Sequence, residues 1–164
     1  MYNGPMTSAD NPRWLNDTEM DTWLNIWSIL EWLPNRLDEQ LRRDSDLSLT
    51  EYNALSQISM AQDSSIRMSE LARLANMKLP HLSRVLTRLE KAGWARRVTD
   101  PTNGRYTLAE LTDAGKDKIA ATAPGHVAAV RRYIFDNLSE KQTNDLKAAA
   151  ALITEAIDPP ELMR

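Results

Sequence analysis

The sequence predicts a mainly α-helical chain with one small β-hairpin, and three observations carry that expectation. The stretch 69–92 reads as a short helix, a tight turn and a second helix. It is followed at once by two short strand-like runs joined by Asp100-Pro101-Thr102-Asn103-Gly104. Long apolar-patterned segments, 17–43 and 112–157, flank this middle on both sides.

Residues 1–15 read as a flexible arm, because Gly4, Pro5, Asn11 and Pro12 gather there. Residues 17–43 follow as a long helix that Asn16 or Asp17 can cap. Met20, Trp23, Trp27, Leu30, Leu37 and Leu41 recur at helical spacing, and Leu24, Ile26, Trp32 and Leu33 widen the apolar surface. Pro34 sits inside the pattern and predicts a kink near Leu33. A second helix opens at Ser48 or Thr50, with Ser48-x-x-Glu51 as a capping box and Tyr52, Leu55 and Ile58 facing inward. Residues 61–67 read as a polar connection.

Ser69 is the expected cap of a short helix over Glu70–Asn76. After the turn Met77-Lys78-Leu79, Pro80 falls in the first turn of the next helix, where its missing N–H costs nothing. That helix should end near Ala92, with Gly93 as its C-cap. The strands are expected at 94–99 and 105–110, with Asn103-Gly104 as a tight-turn signal. Thr112 or Asp113 opens another helix, which Pro124-Gly125 should bend. Ser139-x-x-Gln142 is a capping box for the last helix, whose apolar positions are Leu146, Ala150, Ile153 and Ile157.

Composition narrows the function. The 164 residues are 42% hydrophobic and 26% charged, as in ordinary globular domains. No apolar run reaches the roughly 18 residues of a membrane span, so no membrane partner is expected. Met1 to Asn11 lacks a basic stretch followed by an apolar one, and the expected location is cytoplasmic. With no cysteine, disulfides, thiolate metal sites and cysteine-based redox sensing are excluded. The two histidines, His81 and His126, are far apart in sequence, and no metal or other cofactor is expected. There is no Gly-rich phosphate loop, nucleophile motif or histidine acid–base pair, so the chain does not read as an enzyme.

The net charge is −3, but it is unevenly spread: Arg67 to Arg105 carries a net +6 and the remainder −9. A basic middle in an acidic chain has the form of a polyanion footprint. In the second helix of the pair, Leu82, Val85, Leu86 and Leu89 lie at i, i+3, i+4 and i+7, a core-facing stripe. His81, Arg84, Arg88 and Lys91 lie opposite. Alone, such a basic face is more often solvated surface. The hairpin changes the balance, because it sets Arg96, Arg97 and Arg105 on a turn-tipped ribbon beside that helix. Helix, turn, helix and hairpin over 48–111 make a winged helix-turn-helix, with one helix for the major groove and a wing for the minor groove. Arg105, beside the turn, is placed to enter a narrow minor groove. Only one of Arg96 and Arg97 should face phosphate, since neighbours on a strand point to opposite sides. Asp100 is expected to orient the wing arginine or to close the turn.

The stretch Leu49–Gly115 resembles the MarR family of bacterial regulators. The resemblance is carried by Ser69-Glu70-Leu71-Ala72, Leu82-Ser83-Arg84-Val85-Leu86-Thr87-Arg88-Leu89-Glu90 and Lys91-Ala92-Gly93-Trp94. It continues through Asp100-Pro101-Thr102-Asn103-Gly104-Arg105 and Leu111-Thr112-Asp113-Ala114-Gly115. The family's wing usually reads Asp-Pro-x-Asp-Arg-Arg; Asn103 and Gly104 replace the inner Asp-Arg here, and Arg105 matches the last arginine. The resemblance implies one domain over 16–164 and a sequence-specific double-stranded DNA-binding regulator of transcription, expected to be a repressor on a palindromic operator. It also implies a homodimer formed through helices 17–43 and 112–157. Candidate DNA-contacting residues are Ser69, Lys78, His81, Ser83, Arg84, Thr87, Arg88, Lys91, Arg97, Asn103 and Arg105. Members often release DNA when a small aromatic or anionic effector binds, for which Trp23, Trp27, Tyr52 and Arg131 are the candidates. Aromatic residues at helical spacing serve equally as core or dimer surface. The competing reading is a winged-helix interaction module that docks a protein partner through its tryptophan-rich first helix.

Overall fold

The computed structural model describes residues 12–157; the arm expected over 1–15 therefore lies mostly outside the described residues. Helix α1 spans Asp17–Ser45. Asn16 caps it: its Oδ1 accepts from the Glu19 N–H at 2.9 Å, and its own N–H donates to Glu19 Oε2 at 2.9 Å. The kink expected at Leu33 is not a break, since residues on both sides of Pro34 remain helical. A proline removes one N–H, and the neighbouring turns keep their own bonds. The chain nevertheless divides into two compact units at that residue, one ending at Pro34 and the other beginning at Asn35.

The first unit contributes the first half of α1, whose Trp23 and Trp27 rings lie 5.6 Å apart, centroid to centroid. Met20, Trp23, Leu24, Trp27, Ile29, Leu30 and Trp32 are all exposed, which makes this a largely apolar, uncovered helix.

The second unit holds the core. Helix α2, Leu49–Met60, opens with the expected capping box between Ser48 and Glu51. A 3-10 turn at Gln62–Ser64 leads into strand β1, Ser65–Arg67, and directly into helix α3, Met68–Leu74. Here the sequence reading erred twice. The polar connection contains a strand, and α3 begins one residue before Ser69, with Arg67 at the N-cap position and no side-chain cap. Helix α4, Leu79–Lys91, has Pro80 in its first turn and Ala92 at its C-cap. Gly93 follows at φ +78°, the left-handed conformation that suits glycine at this place.

Strands β2, Ala95–Thr99, and β3, Thr107–Leu111, pair antiparallel with Ala95 opposite Leu111 and Thr99 opposite Thr107. Strand β1 adds to the other edge of β3, giving the order β1-β3-β2. Helix α5, Asp113–Tyr133, stays helical through Pro124-Gly125, and the Thr112 hydroxyl caps it. Helix α6, Glu140–Ile157, starts with the Ser139–Gln142 capping box.

The core gathers Leu47, Leu55, Ile58, Leu71, Leu82, Leu86 and Leu89, all fully buried, with Ala95, Ala109 and Leu111 from the sheet. Each buried leucine contributes roughly 1.5–3 kcal/mol. The start of α5 is sewn to the end of α4. The Thr112 hydroxyl donates to the Gly93 carbonyl at 2.6 Å, and the Thr112 N–H to the Trp94 carbonyl at 3.2 Å. Gly115 is required at this seam, because a Cβ there would lie 1.9 Å from the Trp94 carbonyl oxygen. We expect Gly115→Ala to cost about 1–3 kcal/mol of stability, as overpacking against rigid backbone does; urea denaturation of both proteins measures it, and equal midpoints would refute the close approach.

Candidate nucleic-acid interface

The apolar stripe on α4 sets the geometry of the site. Leu82, Val85, Leu86 and Leu89 are buried, so His81, Arg84, Arg88 and Lys91 must face solvent. These side chains are not equivalent. Arg88 is held: its Nε lies 2.5 Å from Glu51 Oε1, and Nη2 donates to the Asp46 carbonyl at 3.3 Å. Arg84 and Lys91 have no ion pair or side-chain hydrogen bond among the described residues, and neither do Lys78 before the helix and Arg105 in the wing. His81, Arg84 and Arg88 share a cleft of about 340 Å³ with Arg42 from the end of α1 and with Ser48, Thr50 and Glu51 at the start of α2. Arg42 and Thr50 were not expected at this face, since both are separated from α4 in sequence.

Both strand arginines are paired with acids, which corrects the expectation that one of them faces phosphate. Arg96 sits directly across from Glu110 and pairs with it at 2.9 Å. Arg97 turns to the other face of the sheet, onto α4, where it pairs with Glu90 and donates to Ser83 and Thr87. Its side chain is only 27% exposed. Ser83 and Thr87 themselves are exposed, as is Ser69 in the first turn of α3.

The wing loop runs from Asp100 to Tyr106 and is longer than the Asn-Gly signal implied. Asn103 and Gly104 are both outside the positive-φ region that a type I′ turn requires. Two overlapping turns replace it, closed by Asn103 N–H to the Asp100 carbonyl at 3.2 Å and Tyr106 N–H to the Asn103 carbonyl at 3.0 Å. The Asn103 side chain accepts from the Arg105 N–H at 3.1 Å. Asp100 closes the loop, accepting from the Thr102 hydroxyl and N–H at 2.6 and 2.8 Å. Those two bonds, with Arg67 at 3.0 Å, hold its carboxyl below the usual carboxylate range. The arginine it orients is thus Arg67 of β1 and not Arg105. Arg67 in turn stacks on the Tyr106 ring at 4.2 Å, so β1 braces the wing from its base.

Of the four effector candidates, Trp23 and Trp27 pair with each other, while Tyr52 and Arg131 have other partners. Tyr52 packs on His126 of α5 at 4.5 Å, and Arg131 is exposed and paired with Asp136 at 3.0 Å. Trp23 and Trp27 belong to the first unit and contact each other. Among the described residues no cluster of His, Asp and Glu could hold a metal ion, and no helix is long and apolar enough to cross a membrane.

A helix with a buried back and a cationic front, followed by a braced ribbon, defines a winged helix-turn-helix protein of the DNA-binding class. Comparison with known proteins carries this further. The MarR family profile matches residues 47–107. Over 94% of this chain and 96% of the other, the structure is similar to Sco3205, a MarR family transcriptional regulator from Streptomyces coelicolor crystallised with DNA, at 36% identity and TM-score 0.83. AbsC from the same organism matches at 31% identity and TM-score 0.82, over 90% of this chain and 99% of that one. The HTH-type transcriptional regulator ML2140 of Mycobacterium leprae is 27% identical over 142 residues, 85% of this chain and 97% of the relative. The chain belongs to the MarR family of transcriptional regulators.

His126 offers a pH test of the packing beneath the interface. Its Nδ1 is buried without a partner among the described residues, and burial pushes its pKa below the usual imidazole value. The unfolded chain takes up this proton near pH 6.5, while the folded one resists it. Stability should therefore fall as pH drops from about 6.5 towards the folded-state value. Urea midpoints at pH 7 and pH 5.5 should differ less in His126→Gln than in the parent; an unchanged difference would reassign the effect.

Proposed function

We propose that the protein is a sequence-specific repressor that binds a palindromic operator as a homodimer. In this reading the winged part, about 48–111, grips the duplex, and helices 17–43 and 112–157 join the two copies. Helix α4 enters the major groove with Ser83, Arg84 and Thr87 towards the bases, while His81 and Arg88 line its approach. Ser69, Lys78 and Lys91 contact the backbone, and Asn103 and Arg105 of the wing reach the adjacent minor groove. Arg97 contributes through its hold on Ser83 and Thr87 and not by direct contact with phosphate.

The observation that carries this reading is the set of uncommitted cations, Lys78, Arg84, Lys91 and Arg105, in a chain whose other arginines at this face are tied to acids. Free guanidinium and ammonium groups gain most from a polyanion, through counterion release. The DNA complex of Sco3205 supports the same use of the fold. The dimer is supported by uncovered apolar side chains in each unit: Trp23, Trp27 and Leu30 in the first, and Val127, Leu146, Leu152, Ile153 and Ile157 in the second. So much exposed apolar surface marks an interaction face, and a twofold pair of winged lobes matches two half-sites about one helical turn apart. The reading extends to release by a small aromatic or anionic effector, supported by the family's habit and by the exposed indoles of α1.

Selection from a random duplex pool at two salt concentrations, together with light scattering for mass, tests it. A palindromic consensus, affinity falling steeply with salt, and a dimer mass are expected. An unstructured consensus or a monomer overturns it. Against the selected duplex, Arg84→Ala should cost roughly 1–3 kcal/mol and relax base preference. Arg105→Ala should weaken binding most where the minor groove is narrow. Operator affinity unchanged in both variants would remove this face from the mechanism.

A further inference from the structure

We propose that Arg97 is a positioning residue for base recognition: set against Ser83 and Thr87, it turns the Ser83 hydrogen outward and takes an acceptor position from each hydroxyl, and so decides which base edges the two can read. This rests on the reading that α4 enters the major groove.

Arg97 lies on β2 opposite Ala109, on the sheet face turned to α4. Glu90, near the end of α4, grips it twice: Oε1 accepts from the Arg97 backbone N–H at 2.9 Å, and Oε2 pairs with Nη1. That grip leaves Nη2 against the outward side of the helix. There one of its two hydrogens goes to the Ser83 carbonyl, and the other is shared between Ser83 Oγ and Thr87 Oγ1, each at 3.2 Å.

A hydroxyl has one hydrogen to give and two lone pairs to receive with. Thr87 spends its hydrogen on the Ser83 carbonyl at 2.9 Å and one lone pair on Arg97. What remains for DNA is its methyl group and one acceptor position. Ser83 spends a lone pair on Arg97, while its hydrogen has no partner among the described residues. With a cation behind its oxygen, that hydrogen points outward. Ser83 is therefore a donor suited to purine N7, guanine O6 or thymine O4, and Thr87 suits a thymine methyl or an amino edge. Without the guanidinium the Ser83 hydroxyl could rotate and both oxygens would regain an acceptor position, and the discrimination would fade.

A clasp that only fastened the wing to α4 would behave differently, since its loss would weaken every duplex alike. The test uses the full chain, the duplex selected by the parent protein and all single base-pair variants of that duplex. Arg97→Lys keeps the charge beside Glu90 but lacks the planar fork that pairs one nitrogen with Glu90 and turns the other to the hydroxyls. It should lose about fivefold discrimination, the scale of one hydrogen bond, at the base pairs where Ser83→Ala and Thr87→Val lose it. The double variant Arg97→Lys, Ser83→Ala should lose no more than Ser83→Ala at the Ser83 base pair. Uniform weakening, or a preference profile identical to the parent, overturns the proposal while leaving groove binding intact. A parent protein that selects no sequence overturns the groove reading and this one with it. Should Arg97→Lys fail to fold by circular dichroism, 7-deazapurine substitution in the selected duplex decides with the parent and Ser83→Ala alone. If Ser83 donates to N7, the substitution, or the matching loss of a guanine O6 or thymine O4 in the single-pair variants, erases the difference between the two proteins. A difference that depends only on amino edges overturns the assignment.

Discussion

The rotation of α4 about its own axis is the constraint on which the rest of this molecule depends. Three leucines of its stripe, Leu82, Leu86 and Leu89, are entirely excluded from solvent. One residue of slip turns a helix by about 100°, which would drive Arg84 or Arg88 into the core and lift a leucine out. Burying an unpaired guanidinium costs far more than any surface contact returns. The hydrophobic core thus acts as the aiming device for the cationic face, and the face needs no further fixing to point outward.

What is fixed beyond that is fixed by acids. Glu51, Glu90, Asp100 and Glu110 each hold one arginine: Arg88, Arg97, Arg67 and Arg96 respectively. Glu51 and Asp100 are themselves buried, so these pairings order the side chains more firmly than surface ion pairs would. The basic middle of the chain is accordingly of two kinds. Some arginines are structural struts between α2, α4 and the sheet; others extend into solvent. Net charge along the sequence does not separate the two kinds, because that separation depends on which acids the fold brings near.

Much of the architecture was legible from periodicity and caps. The four-residue stripe of α4, the Ser48–Glu51 and Ser139–Gln142 capping boxes, and the Gly93 stop are local signals, and each lies where local physics places it. The third strand was not legible, since Ser65-Ile66-Arg67 is too short to show alternation and exists only because β3 offers an unpaired edge. Pro34 and Pro124 read as a kink and a bend, and neither ends its helix. At the proposed site, the exposure of Arg84 and Arg105 follows from helix face and turn position. The fate of Arg97 was half visible: it shares strand parity with the buried Ala95, which turns it inward, but that Glu90 waits there follows only from the packing of α4 on β2.

The stitching of Thr112 and Gly115 to the backbone at Gly93 and Trp94 bears on how motion can pass through the protein. Two hydrogen bonds and a contact with no room for a methyl group leave this junction without play. The base of the ribbon and the first turn of α5 are in effect one casting. Any tilt applied to that turn must swing the ribbon as a lever swings about its pivot, and flexure has to be sought elsewhere along the chain.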